Sequence, residues 1–213
     1  MRSHKIQGVP FISQLVVYPT GCESVSCTMA LQYLGWKGTV NEFIDRYLPK
    51  GTPPYQAEDG SWVGDDPWKV FPGDPYSPDG WGCFPPVLEE AVSHLPEYTS
   101  TAFYNRPLEE LKDLIDQDIP VIFWATIGFA VPHDSLAWTT PDGRRIQWVS
   151  PMHCTLLIGY DENGYYFNDP TSGQDAYFSN AAVETAYQAQ GSLAMIVQRR
   201  ERTGRGWLPV GSG

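Results

Sequence analysis

The stretch Tyr18-Pro19-Thr20-Gly21-Cys22-Glu23-Ser24 sets the start of the first long helix. Beyond it, Val25, Met29, Leu31 and Leu34 recur at offsets near three and four, which predicts a helix with an apolar stripe. Gly35 ends that pattern. Pro19 and Gly21 suit neither a strand nor a helix interior, so a tight turn precedes the helix. Cys22 therefore falls at or next to the first residue of a buried helix. Unpaired N–H groups and a partial positive charge gather at such an end. Both favour a thiolate, which is the nucleophilic form of cysteine. The alternative is a small apolar residue that fills space. Position alone leaves the two readings open.

Upstream, Val9 to Leu15 reads as a short extended segment with Gln14 near its end. Downstream, Thr39-Val40-Asn41-Glu42 has the form of a capping box and opens a helix that ends before Pro49. Residues 51–84 fit no helical or strand period. They hold many Gly and Pro, five Asp, and the rings of Tyr55, Trp62, Trp68, Phe71, Tyr76, Trp81 and Phe84. The rings argue against disorder and for a loop pinned over the core. Substrate binding is the other role open to it. The Asp spacing matches no EF-hand loop, so no metal is expected.

Further helices are predicted over Pro86 to Leu95, Pro107 to Asp116 and Asn180 to Gln190. Pro120 to Ile127 is a buried strand by length and composition, and Leu193 to Val197 a last one. Pro141-Asp142-Gly143 and Asp161-Glu162-Asn163-Gly164 each separate two strand-like runs, giving two hairpins. Helices lead in the first half and antiparallel strands in the second, an α+β pattern.

The chain has 213 residues, 42% of them hydrophobic, and no linker or repeat divides it. One domain over residues 1–199 is expected, followed by a tail at 200–213. A net charge of −11 argues against a nucleic-acid partner. No apolar run approaches the ~20 residues that span a bilayer. Met1 to Gly8 is too short and polar for a signal peptide. The expected location is extracytoplasmic if an export signal has been removed and cytoplasmic otherwise. The four cysteines (Cys22, Cys27, Cys83, Cys154) form no CxxC pair, so a structural zinc site has little support.

A cysteine nucleophile needs a base, and the base needs an orienting group. Of the four histidines, His4 lies in a frayed start, His94 on a surface helix and His133 in a Pro-flanked loop. His153 opens an apolar strand, where it is either a core residue or a base. Asp169 ends the partner strand of the same hairpin. Placed opposite His153 at the open end, it lies ~5 Å away, near enough to hold an imidazole. Its alternative is turn chemistry, since Asn168-Asp169-Pro170 also reads as a turn. An oxyanion would need donors: the Cys22 N–H is one candidate and the Gln14 amide another, although Gln14 alone reads as a surface residue.

Together these pieces resemble the bacterial cysteine peptidases related to the bacteriocin-processing (double-glycine leader) peptidases, a branch of the papain-like superfamily. The matching segments are Val9 to Gln14, Pro19 to Ser24, Pro151 to Cys154, Gly159-Tyr160-Asp161 and Phe167 to Pro170. The resemblance runs from Val9 to about Val197. It implies a papain-like fold, with a helical first half packed on an antiparallel sheet from the second. It implies Cys22 as nucleophile, His153 as base, Asp169 as orienter and Gln14 in the oxyanion hole. It also implies hydrolysis of a peptide or related amide through an acyl-enzyme, with no cofactor and a peptide or protein as substrate. Papain uses an asparagine as orienter, and Asn168 is adjacent. Strand parity and the aspartate of the bacterial relatives favour Asp169. The transporter segments of the bacteriocin exporters are missing, so their leader-peptide substrate does not carry over. Two alternatives stand beside this reading. One is a papain-like domain reused to bind a peptide or glycan, and the other is acyl transfer to an amine.

Overall fold

The structure, a computed structural model, describes residues 2–200. In chain order the first elements are β1 (His4–Lys5), α1 (Cys22–Tyr33), α2 (Val40–Arg46), β2 (Lys50–Gly51), β3 (Tyr55–Gln56), β4 (Trp62–Val63) and β5 (Phe71–Pro72). Then come α3 (Pro85–Ser93), β6 (Tyr98–Phe103), α4 (Leu108–Ile115), β7 (Val121–Thr126), β8 (His133–Thr139) and β9 (Arg145–Ser150). The chain closes with β10 (Met152–Tyr160), β11 (Gly164–Asp169), β12 (Gly173–Ser179), α5 (Asn180–Ala189) and β13 (Ala194–Arg199).

The main sheet runs β12-β11-β10-β7-β13-β6, antiparallel throughout, with β1 added to the far end of β10. β7 and β10 are buried at every residue, as central strands between packed layers should be. α1 lies against β10, and Ser26 Oγ donates to the Cys154 carbonyl at 3.2 Å. The architecture is α+β, with the Cys22 helix packed on a sheet drawn mainly from the second half.

The expected helices and hairpins are present, with most ends shifted by one or two residues; β8 begins at His133, four residues before the expected start at Ala137. Several expectations change. α1 is buried on all sides from Cys22 to Leu31, so it is a central helix and not a striped surface one. Thr39 Oγ1 accepts the Glu42 N–H as a cap should, but the Glu42 carboxylate turns to Arg46 and Tyr47. The 51–84 segment is not free of strands. β2 pairs with β5, and β4 joins β3 to the β8–β9 hairpin. Its rings do pack: Trp68 stacks on Phe84 at 4.5 Å, and Trp81 meets the edges of Trp138 and Trp148. His4 is in a strand and bonds Asp118 at 2.8 Å, and His133 starts β8; neither is in a loose end.

Among the described residues no helix is long and apolar enough to cross a membrane. Of the tail expected from residue 200, Arg200 continues β13 by donating to the Glu97 and Tyr98 carbonyls. Residues 201–213 lie outside the described part.

Candidate functional site

Cys22 is the first residue of α1, and Gly21 is its cap. A Cβ on Gly21 would come within 2.9 Å of the Tyr18 side chain, so this tight entry requires glycine. The Cys22 N–H, in the first turn, has no intrahelical acceptor. Cys22 as a residue is 5% exposed, whereas Cys27, Cys83 and Cys154 are fully buried, and all four thiols are free.

The expected acidification of Cys22 is not found. Burial pushes the thiol up, and the neighbouring Glu23 carboxylate pushes it further. The backbone N–H of Cys154 opposes this by favouring the thiolate. The sulfur therefore faces β10 at the residue after His153.

His153 and Asp169 are brought together. His153 Nε2 lies 3.0 Å from Asp169 Oδ1, with both side chains buried. The geometry differs from the expected face-to-face pair. The ladder matches Leu156 with Asn168 and Leu157 with Phe167, which sets Thr155 across from Asp169. His153 is thus on the same face, two residues along. The diagonal is short enough for these side chains to span. The Asp169 carboxylate also accepts the Thr171 and Ser172 N–H groups at 2.8 and 2.9 Å and the Thr171 hydroxyl at 2.7 Å. Burial would raise its pKa, but the His153 bond and charge and these donors outweigh burial and hold it well below the usual carboxylate range. The turn chemistry weighed for Asp169 is therefore present together with the histidine contact.

Asn168 points to the opposite face. Its amide nitrogen donates to the carbonyls of Val9 and Pro10, and its oxygen accepts the Asp175 N–H. It ties down the segment that leads to Gln14. Gln14 is 4% exposed, not a surface residue. Its backbone N–H donates to the Pro170 carbonyl, and Nε2 donates to the Pro19 carbonyl at 3.0 Å. An amide nitrogen carries two hydrogens, so one remains to donate. Gln14 and Cys22 thus flank the same Tyr18–Gly21 turn.

One buried group carries no role in the sequence reading. Glu23 is fully buried, and its Oε2 is 3.3 Å from Cys22 Sγ. A glutamate in a first helical turn is ordinarily explained by the helix dipole, so sequence gave no signal of its burial. Thr171 and Ser172, which brace Asp169, were also missed. Among the described residues no group of three or more His, Cys, Asp or Glu gathers as a metal site would.

Comparison with known proteins agrees with this architecture. The chain is 26% identical over 180 residues to the uncharacterized protein YvpB of Bacillus subtilis (strain 168), covering 84% of this chain and 69% of YvpB. A crystal structure of a candidate C39-like peptidase from Bacillus anthracis superposes with a TM-score of 0.81 at 27% identity, covering 95% of this chain and 100% of that one. Residues 6–195 match the Peptidase_C39 like family, and the chain belongs to that family.

Proposed function

We propose that the protein is a cysteine peptidase that hydrolyses peptide or related amide bonds through Cys22, His153 and Asp169, with Gln14 as an oxyanion donor. The observation that carries this is the contact of His153 Nε2 with Asp169 Oδ1, beside the helix that begins at Cys22. With Nε2 committed to the carboxylate, Nδ1 is the ring nitrogen left to take a proton. In the reaction His153 takes the Cys22 proton and the sulfur attacks the substrate carbonyl carbon. The Gln14 amide and the Cys22 N–H hold the developing oxyanion. The imidazolium then protonates the leaving amine as the C–N bond breaks. Water, deprotonated by His153, attacks the thioester, and the carboxylate product leaves with the thiol restored.

A second reading, a domain that binds without cutting, draws on the burial of Cys22 and its raised pKa. One experiment separates the two. Turnover of a broad peptide library by the wild-type protein, absent in Cys22→Ala with unchanged circular dichroism, supports the peptidase. Equal cleavage by both, or none by either, removes it. Adding a primary amine and weighing the products distinguishes hydrolysis from acyl transfer.

A further inference from the structure

Glu23 is a carboxyl group in a place where a carboxyl group is costly. It has no exposed surface. Its Oε1 accepts the Cys83 N–H at 2.7 Å, and its Oε2 is in contact with the Cys22 thiol. The chain closes over it at Gly82, where φ is +152° and a Cβ would sit 2.6 Å from Oε1. The Cys83 carbonyl is in turn held by the Trp124 indole N–H at 2.9 Å. Glu23 therefore bridges the first turn of α1 and the end of the aromatic loop in a fixed geometry. The ionisable groups around it are the Cys22 thiol on α1, the Cys83 thiol on the loop, and His153 and Cys154 on β10. Asp169 stands behind His153.

We propose that Glu23 is a further catalytic residue, one whose own protonation state decides whether Cys22 can become a thiolate. This rests on the reading of Cys22 as the nucleophile. When Glu23 is ionised, the thiol donates its hydrogen to Oε2 and stays neutral. Moving that proton to His153 would leave two anions in contact inside a dry site. When Glu23 is protonated, its O–H turns to the sulfur, and the same transfer to His153 leaves a thiolate beside a donor. Both transfers keep the number of protons in the site constant. The state competent for attack thus carries one more proton than the state with Glu23 ionised. Burial raises the Glu23 pKa to about 7, which puts this change within a working pH range.

The test is the rate of Cys22 alkylation by iodoacetamide, followed by mass mapping from pH 5 to 10, in the wild type and in Glu23→Gln. Glutamine keeps the oxygen that accepts the Cys83 N–H but cannot carry the negative charge. The expected result is a midpoint lower by at least one pH unit in Glu23→Gln, with a rate about tenfold higher near pH 8, where Glu23 of the wild type is ionised, and rates that converge near pH 5, where it is protonated. An unchanged midpoint overturns the proposal and leaves Glu23 as a brace for the loop. If Glu23→Gln does not fold, the carboxyl carbon resonance of Glu23 in labelled wild-type protein decides. A midpoint near 7 supports the proposal, and one in the ordinary carboxyl range overturns it. Turnover by Cys22→Ala, measured alongside, reports on the peptidase reading separately.

Discussion

Asp169 lies diagonally across the β10–β11 ladder from His153, and the two side chains meet at 3.0 Å. Three further donors from Thr171 and Ser172 converge on the same carboxylate oxygen. The carboxylate is therefore positioned by the turn that follows β11 as well as by the histidine.

Asp169→Ala should lower turnover by roughly two to four orders of magnitude, because it removes the group that fixes the His153 tautomer and steadies the imidazolium. Asn168→Ala should act differently. It frees the Val9 and Pro10 carbonyls, at a cost of about 1–3 kcal/mol in stability, while turnover per folded molecule stays within about tenfold. Denaturation curves and kcat/KM for both variants check this. A dead Asn168→Ala beside a near-normal Asp169→Ala would reverse the assignment.

The order of cysteine reactivity follows from burial. Cys22 should be alkylated first, since it alone keeps any exposed surface, but with a midpoint above the normal thiol range in the free protein. Timed alkylation with mass mapping reads both. Reaction of Cys83 at the same rate would remove the distinction on which the nucleophile assignment depends.

Gln14→Ala should cut kcat by about 10²–10³ with little change in KM, as loss of one oxyanion donor does. A rise in KM at constant kcat would place Gln14 in ground-state binding instead.

Much of this arrangement was legible in the chain because apolar runs mark central elements. β7 and β10 are continuous apolar strands, and the turn before Cys22 is written in Pro19 and Gly21. Besides the two-residue strands β1 to β5, the pattern missed β6 and β12, which end the main six-strand path of the sheet. Their residues are largely exposed or half-buried, so they carry little of the apolar signal. Parity along the hairpin separated Asp169 from Asn168. It did not reveal the two-residue offset, which depends on where the turn closes and on the register shift between Leu157 and Gly159. The environment of Cys22 was illegible for another reason. It is made by Glu23 folding under Gly82 and Cys83, some sixty positions away, and no local pattern encodes that meeting.

The buried Glu23 carboxyl also makes stability depend on pH. Its folded pKa, about 7, is raised above the ordinary value of 4.5 by burial. Below about pH 4.5 both folded and unfolded chains hold the proton, and the full stability is present. As pH rises, the unfolded chain releases the proton first, and stability falls until the folded carboxyl ionises near pH 7. Between pH 5 and 8 this one group should remove about 2–3 kcal/mol. Asp169 acts at the other end, because its folded pKa is depressed: its contribution is present above about pH 4 and is lost as pH falls further. Urea denaturation at pH 5 and pH 8, in the wild type and in Glu23→Gln, isolates the Glu23 contribution. The wild type should lose about 2–3 kcal/mol more than the variant over that interval. An equal loss in both would mean that Glu23 ionises in the folded protein as it does in the unfolded chain, and that its burial is relieved by water.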